Sequence, residues 1–237
     1  MNINTTKKEV FGVLGLPRMG TTLVNNMLNS YNNCFCISEP HWANILRPNS
    51  VRLDKVNFDT RNNNEIYTNL KKYLEESTEF QLGGIKETYR EHQKKSANYI
   101  LNSPHVDFII AVIRKPDVGF DAWLRSNWRG YYISPQNYVK SYKSLCRDLE
   151  NCNKEIYWVQ YEKVCNEGIE YLNKVFNGRL ILEEINNIKK TNYIFGDEKA
   201  NVGGNIKPPK TGTEKVPPHA ISLINEKLNI FYHKHDI

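Results

Sequence analysis

The chain has 237 residues, 40% hydrophobic and 24% charged, with 32 Lys and Arg against 26 Asp and Glu for a formal charge of +6. This length is enough for a sizeable core, and the balance excludes disordered and fibrous classes. The mild basicity favours an anionic ligand, but it lacks the dense charge of a dedicated nucleic-acid binder, so no nucleic-acid partner is expected.

The N-terminal MNINTTKKEV is charged and is not followed by an apolar run of signal-peptide length. No segment approaches the roughly 20 apolar residues of a membrane helix, so a soluble, cytoplasmic protein is expected. Val10 to Gly15 reads as a short strand buried on both faces. The chain breaks at Gly15-Leu-Pro-Arg-Met-Gly20 and resumes as a helix from Thr21, with Leu23, Met27 and Leu28 on one face. A second strand, Cys34 to Ile37, leads into Ser38-Glu-Pro-His-Trp42. The five cysteines are odd in number, and Cys34-x-Cys36 is too tight for a zinc pair, so buried thiols with no disulfide and no metal are expected.

Residues 48 to 64 are polar and irregular, and a helix follows over Glu65 to Glu76. Leu82-Gly-Gly-Ile-Lys86 is a third strand, weakened by its glycines. Phe108 to Ile113 is the strongest strand, six apolar residues stopping at Arg114. Helices are predicted near 117–129 and 136–150, a strand over Ile156 to Val159, and a helix over 165–177. Residues 191–216 lack apolar periodicity and read as a functional loop before a closing helix from Pro217 to Tyr232. Strands alternating with helices predict an α/β fold: one domain over 1–237, with a parallel sheet flanked by helices on both faces.

Gly15-x4-Gly20-Thr21-Thr22 between a buried strand and a helix is suited to cradling a phosphate. Glycines let the backbone approach an anion, and the helix N-terminus adds positive potential. An ordinary strand-to-helix turn would also carry such glycines, but the strand and helix context favours the phosphate loop. A nucleotide kinase needs Lys after the second Gly and an acid at a neighbouring strand end. Here Thr21 holds the Lys position and the strong strand ends in Arg114, which suits a phosphate with no metal between.

Leu14-Gly-Leu-Pro-Arg-Met-Gly-Thr-Thr-Leu23 resembles the 5′-phosphosulfate loop of P-loop sulfotransferases that use 3′-phosphoadenosine 5′-phosphosulfate (PAPS). Further segments match in the family's order. Ser38-Glu-Pro-His-Trp42 is similar to the Glu-x-His pattern of heparan sulfotransferases, and Lys86-Glu-Thr-Tyr89 resembles the strand end at the acceptor site. Ile113-Arg-Lys-Pro116 looks like the 3′-phosphate segment, and Tyr157-Trp-Val-Gln-Tyr-Glu162 resembles the strand end near the adenine. Lys210-Thr-Gly-Thr-Glu-Lys-Val-Pro-Pro218 is similar to the loop that covers the nucleotide. The chain departs from the family in three places: Ala122 stands where a serine is usual, with Ser126 a substitute hydroxyl; Thr88 stands where some members carry a catalytic His; and no Arg follows Gly212.

The resemblance implies a PAPS-dependent sulfotransferase acting on a hydroxyl or amine of a carbohydrate or small-molecule acceptor, with no metal. It assigns the catalytic roles to Glu39 as general base, Arg18 and Lys86 as charge stabilisers, and His41 as orienter or alternative base. It assigns nucleotide binding to Arg18, Met19, Gly20, Thr21, Thr22 and Leu23, with Arg114, Tyr161, Lys210, Thr211, Gly212 and Lys215. Five of these residues also have a plainer reading: a turn arginine for Arg18, a helix cap for Glu39, a packed imidazole for His41, a solvated strand-end lysine for Lys86, a half-buried strand tyrosine for Tyr161. Trp42, Trp123 and Trp128 read as core or as walls of the acceptor pocket. The alternatives are a P-loop nucleotide or small-molecule kinase and a non-catalytic nucleotide- or carbohydrate-binding module on the same fold.

Overall fold

A computed structural model describes residues 7–30, 33–46, 58–90, 94–126, 133–177, 213 and 215–235. Five strands, β1 (Glu9–Gly15), β2 (Cys34–Ser38), β3 (Leu82–Thr88), β4 (Phe108–Ile113) and β5 (Glu155–Gln160), form one sheet in the order β2-β3-β1-β4-β5. Every neighbouring pair is parallel. The helices are α1 (Thr21–Asn29), α2 (Pro40–Leu46), α3 (Ile66–Glu76), α4 (Lys95–Asn102), α5 (Pro116–Ser126), α6 (Pro135–Glu150), α7 (Tyr161–Glu167), α8 (Ile169–Phe176) and α9 (Pro218–Lys234).

Alternation along the strands divides the apolar side chains between two layers. Phe11 and Val13 of β1, Cys34 and Cys36 of β2 and Ile110 and Val112 of β4 pack with α1, α7 and α8. Val10 and Leu14, Phe35 and Ile37, and Ile109 and Ala111 pack with α3, α4, α5, α6 and α9. Helices therefore cover both faces, which is why β1 and β4 read as unbroken apolar runs.

The glycines of β3 do not weaken it; they make it fit between β2 and β1. A Cβ on Gly83 would lie 2.7 Å from the Phe35 ring, and one on Gly84 would lie 2.1 Å from the Phe11 ring. Aromatic side chains from the two flanking strands thus occupy the space, one on each face. The predicted helix over 165–177 is two helices, broken at Gly168, whose φ of 61° is left-handed. α5 is described to Ser126, so the predicted extension to 129 and Trp128 lie outside the described residues. The cysteines are free, Cys152 half-buried and the others buried. Among the described residues, no helix is long and apolar enough to cross a membrane.

Strand order reverses about β1, and open parallel sheets bind ligands outside the carboxyl ends of strands at such a point. The loop after β1 therefore lies in the favoured place.

Candidate active site

The first wall is the loop from Gly15 to α1. Arg18 and Gly20 adopt φ of 68° and 94°. Left-handed backbone costs an L-residue roughly 1–2 kcal/mol, so Gly20 suits its place on conformation alone. Its surroundings require it as well, because a Cβ there would lie 2.1 Å from the Tyr161 ring. Arg18 is held from outside the loop: Arg114 Nη1 donates to the Arg18 carbonyl at 3.0 Å. Met19 sends its side chain into the core, where Sδ accepts from Leu16 N–H at 3.4 Å. α1 begins at Thr21 with no side-chain cap and no acid in its first turn. Its first N–H groups and positive dipole end are thus left for an anion. Thr21 is buried there, and Thr22 and Leu23 are half-buried.

The β4 strand end forms the next wall. Arg114 is 6% exposed, its guanidinium 4.4 Å from the centre of the Tyr161 ring and its Nε 3.7 Å from Glu162 Oε1. Tyr161, the first residue of α7, lies between Gly20 and Arg114, and burial pushes its phenol up to about 12. Glu162, to which the sequence assigns no role, ties three elements together: it accepts from Lys115 N–H at 3.2 Å and from the Tyr232 hydroxyl of α9 at 3.0 Å. Lys215 is exposed, and its backbone N–H donates to Asp121 Oδ1 of α5 at 3.1 Å. Ser126, the hydroxyl that was expected to substitute for Ala122, donates to the Trp123 carbonyl of its own helix at 2.6 Å. Lys210, Thr211 and Gly212 lie outside the described residues.

The third wall is the C-terminal end of β3. Glu39 lies in the turn between β2 and α2 with a left-handed φ of 55°, and its N–H donates to the Lys86 carbonyl at 2.7 Å. Its Oε1 accepts from Lys86 Nζ at 2.7 Å and from the Thr88 hydroxyl. Both side chains of the Glu39–Lys86 ion pair are almost wholly buried. Burial pushes the Glu39 carboxyl up, but the charges of Lys86 and Arg90 and the bonds from Lys86 and Thr88 outweigh it and hold the group below its usual range. Arg90 also lies over the Trp42 ring at 4.2 Å.

Thr88 pairs with Gly15 in the β1–β3 register, and Tyr89 N–H donates to the Gly15 carbonyl at 2.9 Å. The Glu39 cluster is therefore one strand away from the start of the Gly15–Gly20 loop. Sequence reasoning singled out Glu39 and Lys86 but missed their joint contact with Thr88. The signal that was present is alternation, which puts residues 86 and 88 on one face of β3.

His41 sits elsewhere. Its ring has no exposed surface, stacks on Tyr99 at 4.5 Å and lies 5.3 Å from the Tyr67 ring. Nδ1 is 3.3 Å from Asn63 Oδ1, and burial pushes the imidazole down to about 3. A general base must reach the proton it removes. The ring is thus packed among aromatics as a weak base, and its contacts are with Asn63, Tyr67 and Tyr99 rather than with the Glu39 carboxylate. Trp123 is likewise core, against Tyr138.

No protein-family model matches the sequence, and no curated protein matches it. Among solved structures, the chain is similar to the sulfotransferase domain of the olefin synthase of Synechococcus PCC 7002, with a TM-score of 0.57 and 14% identity over 100% of this chain and 98% of that one. An unliganded sugar kinase from Janibacter sp. HTCC2649 matches at a TM-score of 0.44 and 9% identity, over 75% of this chain and 99% of that one. The α/β sheet flanked by helices is thus the fold of a sulfotransferase-type domain.

Proposed function

We propose that the chain is a sulfotransferase that moves a sulfonate group from PAPS to a hydroxyl or amine of a carbohydrate or small-molecule acceptor. The observation that carries this reading is the juxtaposition of a buried, ionised carboxylate, Glu39, with an uncapped strand–loop–helix one strand away.

The residues present suit the donor. The first N–H groups of α1, with the Thr21 and Thr22 hydroxyls, would hold its 5′-phosphate, and Arg18 would face the sulfonate. Arg114 would take the 3′-phosphate, with Tyr161 beneath the guanidinium and the Lys215 segment above α5. PAPS supplies a sulfonate already activated as a mixed anhydride.

Glu39 accepts the acceptor's hydroxyl proton as the new S–O bond forms and the bond to the bridging phosphate oxygen breaks. Thr88 and Lys86 fix the carboxylate oxygen, and Lys86 and Arg18 offset charge on the sulfonate and leaving phosphate. Such preoriented donors usually supply the largest catalytic contribution.

Sulfonate transfer from PAPS to a mixed panel of sugars, phenols, alcohols and amines tests the reading, with release of adenosine 3′,5′-bisphosphate as the common signal. Acceptor-dependent release supports it. Magnesium-dependent turnover of ATP instead would favour the kinase reading, and nucleotide binding with no turnover would favour a binding module.

A further inference from the structure

Glu87 is a fully buried carboxyl group that the proposed reaction does not use. Alternation along β3 sends Lys86 and Thr88 to the α1 side of the sheet and Glu87, with Ile85 and Tyr89, to the side covered by α3 and α4. There Glu87 Oε1 accepts from the N–H groups of His41 at 2.8 Å and Trp42 at 3.4 Å. These belong to the first turn of α2, whose first residue, Pro40, has no N–H to offer.

The residue before that helix is Glu39, held in left-handed backbone at φ 55°. Such a conformation persists in a non-glycine residue only where its surroundings over-determine it. Lys86 and Thr88 hold Glu39 itself, through its N–H and its carboxylate. The two residues that follow Pro40 are held by Glu87. One strand end therefore grips the turn from both faces of the sheet.

We propose that Glu87 is a positioning residue for the base: through the His41 and Trp42 N–H groups its carboxyl group locks the turn that presents Glu39 to the acceptor. This rests on the reading of Glu39 as general base.

The charge state of Glu87 adds an electrostatic consequence that Glu87→Gln would remove. Burial pushes its carboxyl up to about 8, and the Glu39 charge acts in the same direction, so Glu87 is neutral at pH 7. The groups that face it are Glu39 in the turn, Lys86 on β3, Tyr67 on α3 and His41 on α2. His41 is neutral and Tyr67 is held protonated by burial, which leaves Lys86 as the opposing charge among these groups. Above pH 8 Glu87 ionises and places a second negative charge beside a site that must stabilise an anionic sulfonate. The rate should then fall.

Glu87→Gln and Glu87→Ala separate the possibilities. Gln keeps an oxygen for both N–H groups but cannot ionise, so kcat at pH 7 should stay within about threefold of wild type and the decline above pH 8 should vanish. Ala removes the grip: kcat should fall roughly 10–100-fold, because a small misplacement of a catalytic group is costly. Adenosine 3′,5′-bisphosphate affinity should change by less than about twofold, and the His41 and Trp42 amides should exchange faster with solvent. An alkaline decline that persists in Glu87→Gln would overturn the proposal, as would Glu87→Ala with wild-type kcat and amide protection. If Glu87→Ala does not fold, the Gln pH profile still decides. Should Glu39→Gln keep full turnover, the base reading fails, and amide exchange alone tells whether Glu87 holds the turn.

Discussion

Glu39→Gln has two consequences whose sizes follow from the buried contact. Gln keeps the shape of the side chain and an oxygen for the Thr88 hydroxyl and the Lys86 ammonium. It removes the negative charge beside a lysine whose side chain is 3% exposed. Leaving one partner of a buried ion pair uncompensated costs about 3–5 kcal/mol, and the retained hydrogen bonds place this variant at the lower end. For a chain of this length that is a fall in Tm of roughly 6–12 °C. The second consequence is chemical: a carboxamide cannot take the acceptor's proton, so kcat should fall roughly 10²–10⁴-fold. Turnover is to be measured well below the Tm of the variant, with bisphosphate affinity confirming a folded nucleotide site. Near-normal kcat in folded protein would refute Glu39 as base, and an unchanged Tm would refute the buried ion pair with Lys86.

Gly20→Ala should abolish nucleotide binding and lower Tm, because it adds a methyl group against the Tyr161 ring at a φ of 94°; calorimetric titration with adenosine 3′,5′-bisphosphate checks this. Arg114→Lys keeps a charge but loses the fork, so it should free the Arg18 carbonyl and weaken binding of adenosine 5′-phosphosulfate as well as PAPS. Its cost should be greater, by about 1.5–3 kcal/mol, for the nucleotide that carries the 3′-phosphate. Glu87 should also shape stability against pH. Its folded pKa of about 8 lies above the ordinary carboxyl value of about 4.5, so the folded state holds the extra proton and loses stability as pH rises from about 4.5 to 8. Glu39, depressed when folded, loses its contribution only as pH falls below about 4.5. The Tm advantage of Glu87→Gln over wild type should therefore grow from pH 5 to pH 8 and then level off, as a thermal-melt series would show.

Where burial on both faces left an unbroken apolar run, as in β1 and β4, the strands were legible from the sequence. β3 was less so, because Gly83 and Gly84 look like interruptions until Phe11 and Phe35 are seen to need their space. α4 was missed, since it buries only Ser96, Ala97 and Ile100 along a largely polar segment, and α2, seven residues opening on Pro40, was legible only as the helix that Glu39 would cap. The break between β1 and α1 from Gly15 to Thr21 could be read because its glycine, proline and threonine signals are local. The grip of β3 on the Glu39 turn could not, because it depends on the β2–β3 register that sets Ser38 beside Lys86. His41 shows the limit of sequence proximity. Two residues beyond Glu39, the start of α2 carries its ring into the packing of Tyr67 and Tyr99.

The central claim is that the loop after β1 and the Arg114 strand end serve a nucleotide carrying both 5′- and 3′-phosphates. Thermal melts with adenosine 3′,5′-bisphosphate, and in parallel with ATP and magnesium, test it most directly. At one hundred times its dissociation constant a ligand that binds only folded protein adds about 2.7 kcal/mol, a rise of roughly 5–10 °C for a chain of this length. The bisphosphate should give that rise, and ATP with magnesium a much smaller one at the same concentration. Equal or greater stabilisation by ATP with magnesium would contradict it.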